Sequence, residues 1–292
     1  MTSAYPGQDP RARPIAVFDS GVGGLTVLHE LLVRLPREDF VYLGDTARFP
    51  YGQRERHEIE RFAAEIAEEL LLRRRAKLLV VACNSATSAA LPSLSARMRQ
   101  TTLGIDVMGV VGPEALRAVA ATRSGRIGLL ATPTTVASGA YERAIAAVDP
   151  HVALHAVACP TLASIIQAGE QFDEQAVATV RAACTPLRAA GVDTVILGCT
   201  HYPLIGPMLQ RTLGPDVTLV TSGAALARQV EHALSTRDLR NPRTGEAQDG
   251  EGEYRFLCTG DVDAFCELGT RFLQMPLGQV EHVELASVEA IA

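Results

Sequence analysis

Eight short apolar runs, spaced along the whole chain, constrain its fold more than any other feature. They fall at residues 15–18, 40–44, 78–82, 106–110, 127–130, 153–157, 194–197 and 217–220. Most are continuously apolar rather than alternating, which is the pattern of strands covered on both faces and therefore of parallel sheets. Helix-patterned stretches lie between them, at 25–35, 57–74, 114–121, 175–190 and 223–234. Strand–helix alternation of this kind predicts an α/β architecture with parallel sheets. At 292 residues the chain is long enough for about two domains, each with a core that needs no disulfide or metal staple.

The two halves of the sequence echo each other. Pro14-Ile15-Ala16-Val17-Phe18-Asp19-Ser20 resembles Arg126-Ile127-Gly128-Leu129-Leu130-Ala131-Thr132. Leu79-Val80-Val81-Ala82-Cys83-Asn84-Ser85 resembles Val195-Ile196-Leu197-Gly198-Cys199-Thr200. Ile15 and Ile127 stand 112 residues apart, and Cys83 and Cys199 stand 116 apart. Two matches at nearly one offset, ending in the same residue types, point to a duplicated α/β unit. Residues 1–13 read as a flexible tail bearing Pro and Gly, and 236–252 as a polar surface loop.

Composition excludes several classes of function. With 27 basic and 33 acidic residues the net charge is −6, against the basic excess or stripe that phosphate neutralisation requires, so nucleic acid is not expected as the primary partner. Aromatic residues are 5% of the chain and Trp is absent, which leaves little for base or sugar stacking. A hydrophobic content of 47% with 21% charged residues fits a packed globule rather than a disordered chain. No run of about 18 apolar residues is present, so no membrane span is expected. The first residues, MTSAYPGQDPRARP, lack the apolar core of a secretory signal, and a reducing cytoplasm is the expected setting.

The six cysteines, Cys83, Cys159, Cys184, Cys199, Cys258 and Cys266, form no CxxC pair and no zinc-finger spacing, so no metal site is expected. A free cysteine is ordinarily a small buried hydrophobe. Cys83 and Cys199 stand out because each closes an apolar run and opens a helix-favouring one. In α/β sheets ligands bind outside the carboxyl ends of the strands, and a thiol there faces a helix N-terminus whose partial positive charge favours the thiolate. Two such thiols, one from each copy, could face opposite sides of one carbon: one removes a proton, the other supplies one, and the centre inverts. Polar residues at the same strand ends, Asp19-Ser20, Asn84-Ser85, Thr132 and Thr200-His201, are placed to hold the charged groups of a small substrate. Asp19 is the nearest candidate to assist Cys83, and His201, which can exchange protons near neutrality, to assist Cys199.

The run Asp19-Ser20-Gly21-Val22-Gly23-Gly24 has neither GxGxxG spacing nor the Lys-Ser/Thr of a phosphate-binding loop. It reads instead as a turn whose N–H groups could receive a substrate carboxylate. The basic run 73–77 ends a predicted helix, where cations complement the dipole.

These motifs resemble the bacterial glutamate racemases, of the actinobacterial kind, within the cofactor-independent aspartate/glutamate racemase group. The resemblance runs from Ile15 to about Leu273. It is carried by Phe18-Asp19-Ser20-Gly21-Val22-Gly23-Gly24-Leu25-Thr26-Val27, by Tyr42-Leu43-Gly44-Asp45-Thr46-Ala47-Arg48-Phe49-Pro50-Tyr51-Gly52 and by Ala82-Cys83-Asn84-Ser85. Ala158-Cys159-Pro160, Leu197-Gly198-Cys199-Thr200-His201-Tyr202-Pro203-Leu204 and Thr259-Gly260-Asp261 continue it.

The resemblance implies interconversion of L- and D-glutamate for peptidoglycan, without metal or pyridoxal phosphate, in a homodimer. It implies that Cys83 acts on D-glutamate and Cys199 on L-glutamate. Substrate binding would fall to Asp19, Ser20, Tyr51, Gly52, Asn84, Ser85, Thr200 and His201, with Thr132 and Thr135 lining the second half. It also implies two similar parallel-sheet α/β domains related by pseudo-symmetry and clasping the site between them. The expected division is 14–107 with 217–292 as the first domain and 108–216 as the second.

Two positions depart from the family pattern: Ser85 stands where many members carry Thr, and Gln167 where members often carry Glu, with Glu170 nearby. Three other readings use the same residues. One is an aspartate or hydantoin racemase-type enzyme. Another is a cysteine hydrolase built on Cys199 and His201, which leaves Cys83 idle. The third is a non-catalytic role, either ligand binding between two lobes or interaction with a DNA-topology enzyme, and the acidic balance gives it no support.

Overall fold

The computed structural model describes residues 9–100, 104–169, 174–242 and 250–286. Ten strands run in chain order as β1 (Ile15–Asp19), β2 (Phe40–Gly44), β3 (Leu78–Val81), β4 (Asp106–Gly109), β5 (Arg126–Ala131), β6 (Ala153–Ala158), β7 (Thr194–Gly198), β8 (Thr218–Val220), β9 (Tyr254–Cys258) and β10 (Val280–His282). They form two sheets, in the orders β10-β9-β2-β1-β3-β4 and β6-β5-β7-β8, and every pairing in both is parallel. The order β2-β1-β3-β4 recurs as β6-β5-β7-β8. The echo in the sequence is therefore an echo in topology, with each cysteine following the third strand of its copy.

All eight apolar runs form strands, shifted by at most a residue at their ends. Two strands lie outside them: β9 and β10 extend the first sheet beyond β2. In β9 only Phe256, Leu257 and Cys258 are buried and β10 is largely exposed, so neither carries the continuous apolar signature of a covered strand.

Helices α1 (Leu25–Arg34), α2 (Arg56–Glu68) and α3 (Asn84–Gln100) fill the first crossovers. The crossovers of the second sheet carry α4 (Val111–Ala121), α5 (Pro133–Ala137), α6 (Ala140–Val148), α7 (Leu162–Ala168), α8 (Glu174–Ala189) and α9 (Gly206–Leu213). The chain returns through α10 (Gly223–Thr236) and ends on α11 (Val262–Leu273) before β10. Local chemistry sets several starts. Glu55 and Glu58 form a reciprocal capping box at α2, the Asp261 side chain accepts from the Ala264 N–H at α11, and Thr132 caps α5 ahead of Pro133.

Burial explains why β1 is apolar throughout. Ile15 and Val17 pack in one core with Leu25, Leu28 and Leu31 of α1 and with Phe265 and Phe272 of α11. Ala16 and Phe18 face the other side, with Ile59, Phe62 and Ile66 of α2 and Ala86 and Ala90 of α3. The first cluster continues through Leu197, Tyr202 and Ile205, so one apolar body runs from one sheet to the other. Each fully buried Leu or Phe contributes about 1.5–3 kcal/mol relative to exposure.

The strand pairings show where each sheet takes up the chain. β4 pairs with β3 along its length and ends at Gly109. β8 pairs with β7 and ends at Val220, so the segments that join the two sheets begin at Val110 and Thr221. The expected flexible tail is also held where it is described: Pro10–Ala12 form a 3-10 turn, and the buried Lys77 ammonium donates to the Arg11 carbonyl at 2.6 Å. Residues 1–8, the tip 243–249 of the polar loop, Glu170 and 287–292 lie outside the described residues. Among those described, no helix is long and apolar enough to cross a membrane.

Candidate active site

The carboxyl ends of β1 and β3 meet those of β5 and β7, and the segments that follow these strands enclose a cavity of about 20 Å³. Cys83 and Cys199 both line it, with Ser20, Tyr51, Gly52, Asn84, Ser85, Thr132, Thr200 and His201. Two expected site residues stand behind that wall: Asp19 under the glycine loop and Thr135 under Thr132. Phe49, Pro50 and Ala163 also line the cavity, and sequence reasoning did not select them. Apolar and chemically inert, they carry no signal except their place in the Asp45–Gly52 motif or after Cys159-Pro160.

The two thiols have different neighbours. Cys83 Sγ lies 3.7 Å from Ser20 Oγ and accepts from the Ala86 N–H at 3.4 Å in the first turn of α3. Cys199 Sγ lies 3.9 Å from His201 Nδ1. The N-terminus of α3 does face Cys83 through the Ala86 N–H, but it does not make the thiol acidic. Burial pushes the Cys83 thiol up to about 12, the Asp19 charge adds to this, and the donated hydrogen bonds only partly offset it. Burial likewise drives Cys199 well above its ordinary range, with the His201 N–H opposing. Desolvation outweighs the helix end because both sulfurs are almost fully enclosed, at 5% and 7% exposure for their residues. The other buried cysteines, Cys159, Cys184 and Cys258, sit in the apolar core, consistent with packing roles.

His201 is held between rings, 5.4 Å from Phe49 and 5.1 Å from Phe272. Its Nε2 lies 2.9 Å from Gln167 Oε1. A carbonyl there takes the Nε2–H, which leaves Nδ1 as the acceptor facing Cys199 and the Thr200 hydroxyl. Burial pushes the imidazole down to about 3, so it is neutral at physiological pH.

Asp19 is fully buried, and its carboxyl is raised by burial. The N–H groups of Ser20, Gly21 and Gly24 bond to this carboxylate, Gly21 at 3.1 Å, and the Thr200 hydroxyl crosses from the other unit at 3.3 Å. The glycine loop thus directs three of its N–H groups at Asp19 rather than at a substrate carboxylate. Its glycines serve close approach: a Cβ on Gly23 would lie 2.4 Å from His201 Nδ1 and 2.4 Å from Thr200 Oγ1.

Across the cavity, Ser85 Oγ lies 2.9 Å from Thr132 Oγ1 and 3.4 Å from Thr135 Oγ1, a chain of hydroxyls joining the two units. Gly52 closes against Thr132, where a Cβ would come within 2.6 Å. The Tyr51 hydroxyl donates to Asp45, which also takes Arg48 Nε at 2.6 Å and the Thr259 hydroxyl at 2.7 Å, so Tyr51 offers the cavity its ring. The Thr259-Gly260-Asp261 motif is thereby accounted for as a brace beneath Tyr51. Among the described residues no Lys or Arg lines the cavity. Among the described residues no group of three His, Cys, Asp or Glu side chains could hold a metal ion.

The chain has counterparts among known proteins. The family described as Asp/Glu/Hydantoin racemase matches residues 27–230. A glutamate racemase of Corynebacterium kroppenstedtii is 41% identical over 285 residues, covering 93% of this chain and 97% of that one. The chain belongs to the glutamate racemase family. Among solved glutamate racemases, the RacE1 isoform of Bacillus anthracis superposes with a TM-score of 0.85 at 36% identity, covering 94% of this chain and 98% of that one. The Francisella tularensis enzyme, solved in complex with D-glutamate, also gives 0.85, at 30% identity, covering 95% of this chain and all of that one. Like other glutamate racemases the chain is an isomerase built from two parallel-sheet α/β units.

Proposed function

We propose that the chain racemises glutamate by a two-thiol proton transfer without a cofactor, supplying D-glutamate for peptidoglycan and hence for cell shape, in the cytoplasm and as a homodimer. The observation that carries the mechanism is the placing of Cys83 and Cys199 on one closed cavity from equivalent strand ends of two units. Cys199, as thiolate, takes the α-proton of L-glutamate, and Cys83, as thiol, delivers its proton to the opposite face. The reverse exchange starts from D-glutamate. Each turnover exchanges which sulfur carries the proton, so protons balance without an outside donor.

Both thiols resist ionisation in the site. The neutral His201 Nδ1 faces the Cys199 thiol at 3.9 Å as an acceptor, and with the imidazole pushed down to about 3 it polarises that thiol by a hydrogen bond rather than taking its proton. Asp19 is the nearest carboxylate on the Cys83 side; its charge favours the thiol form of Cys83, the form that delivers the proton, and its hydrogen bonds hold the loop and Thr200. Ser85, Thr132, Thr200 and the N-terminus of α3 supply neutral donors for the substrate carboxylates.

A cavity of 20 Å³ has room for about one water, whereas glutamate has about ten heavy atoms. The substrate therefore enters when the units part, and the chain crossings near Val110 and Thr221 are the natural pivots. The units are 14–109 with 222 onward, and 110–221.

The test is incubation with L-glutamate in deuterated water, followed by circular dichroism and α-deuterium uptake. Loss of the dichroic signal with deuterium incorporation is expected, and each of Cys83→Ala and Cys199→Ala should abolish it. Absence of both racemisation and exchange in the wild type overturns the proposal. Full activity in Cys83→Ala would favour single-thiol hydrolase chemistry on Cys199 and His201.

A further inference from the structure

Behind the cavity lies a second polar cluster that the thiol chemistry does not use. Glu114, in the first turn of α4, has no exposed surface. Its carboxylate accepts from three elements: the Ser222 hydroxyl at the return crossing, the Tyr141 hydroxyl of α6, and Asn84 Nδ2 of α3 at 3.1 Å. Asn84 Nδ2 also donates to the Tyr141 oxygen at 2.8 Å. Both amide hydrogens of Asn84 are thus spent on acceptors behind the wall. Among the described residues its Oδ1 is buried without a partner, on a side chain that is 2% exposed and lines the cavity along with both thiols.

An asparagine amide can lie either way round, and its surroundings decide which. We infer that Glu114 is a positioning residue for racemisation: with Tyr141 it fixes the Asn84 amide so that Oδ1 receives the α-ammonium of the substrate. The ammonium is the only N–H donor that glutamate carries, and an enclosed acceptor without a donor is costly until one arrives. The orientation survives titration of Glu114, whose carboxyl burial pushes up to about 8. A proton on Oε1 leaves Oε2 still accepting from Tyr141 and Asn84, while the Ser222 hydroxyl turns to accept. Ser222 and Glu114 flank the two chain crossings, so the same carboxylate ties the pivot segments to a substrate contact.

The inference rests on the glutamate racemase reading, and the experiment separates the two. Wild-type racemisation tests the reading. The Glu114→Leu variant, which removes the acceptor altogether, tests the inference, through KM and kcat in both directions and through competitive inhibition by glutarate, which has both carboxylates but no ammonium. Glu114→Leu is expected to raise KM for L- and D-glutamate about tenfold with kcat within about threefold, while the glutarate Ki stays within about twofold. Tyr141→Phe, which keeps the carboxylate but removes one acceptor of Asn84, should give the same split at about threefold, and it serves if Glu114→Leu does not fold. The inference is overturned if glutamate KM is unchanged, or if glutarate and glutamate weaken together.

Discussion

Racemisation through Cys199 requires a histidine that stays neutral, and this has a consequence for stability that can be measured without substrate. In the folded chain burial pushes His201 from 6.5 down to about 3. The folded state therefore binds fewer protons than the unfolded state at every pH between those values. For a base depressed in this way, stability is fully present above about pH 6.5 and is lost as pH falls toward the folded value. Between about pH 7.5 and about pH 5 the loss is about 2 kcal/mol, with a limiting slope of about 1.4 kcal/mol per pH unit.

Glu114 acts in the opposite sense across the same window. Its folded value near 8 exceeds its ordinary 4.5, so its contribution falls as pH rises, by about 3 kcal/mol over the same interval. The wild-type curve alone therefore hides the histidine, and a variant is needed to expose it. Urea unfolding of wild type and His201→Gln at both pH values isolates the term, because Glu114 is common to both. The stability of wild type relative to His201→Gln should drop by about 2 kcal/mol on acidification. A gap constant to within about 0.5 kcal/mol would refute the reasoning. An imidazole already charged near neutrality could not accept from the Cys199 thiol, and His201 would lose its proposed role.

Other outcomes follow from the same geometry. Gln167→Glu places a carboxylate 2.9 Å from His201 Nε2 and should raise the imidazole pKa, read as an upward shift of its NMR titration. Gly52→Ala drives a Cβ to 2.6 Å from Thr132 and should raise KM for glutamate about tenfold by holding the units apart, measured by steady-state kinetics in both directions. Ser85→Ala removes one member of the hydroxyl chain at the seam but no charge, and should cost about threefold to tenfold in kcat/KM. Leu28→Ala opens a hole beneath β1, away from the cavity, and should cost about 2–5 kcal/mol in urea unfolding while leaving KM within about twofold.

What the sequence made legible divides along a physical line. β1, β3, β5 and β7 are covered on both faces, so their apolar runs announce them, and the residues that end these strands were found for the same reason. Cys83, Cys199, Thr132 and Thr200 are where ordered strand gives way to polar side chains. β9 and β10 were missed because edge positions do not demand a continuous apolar run. The acidity of the thiols was misjudged because a helix N-terminus is visible in a sequence, whereas the enclosure that outweighs it is made by the other half of the chain.

The glycine loop shows the same limit. Its spacing suggests free donors, but Asp19 takes three of them, and whether a donor is free depends on every group within reach. Gly23 is intelligible only against His201, 178 residues later in the chain. Glu114 is the extreme case. One carboxylate on an amphipathic helix reads as solvated surface, and nothing local to 111–121 says that Asn84, Tyr141 and Ser222 converge on it. Such groups become legible only when donors and acceptors are counted in space. The unpartnered Asn84 Oδ1 is the remainder of that count, and it points to where the substrate must complete the network.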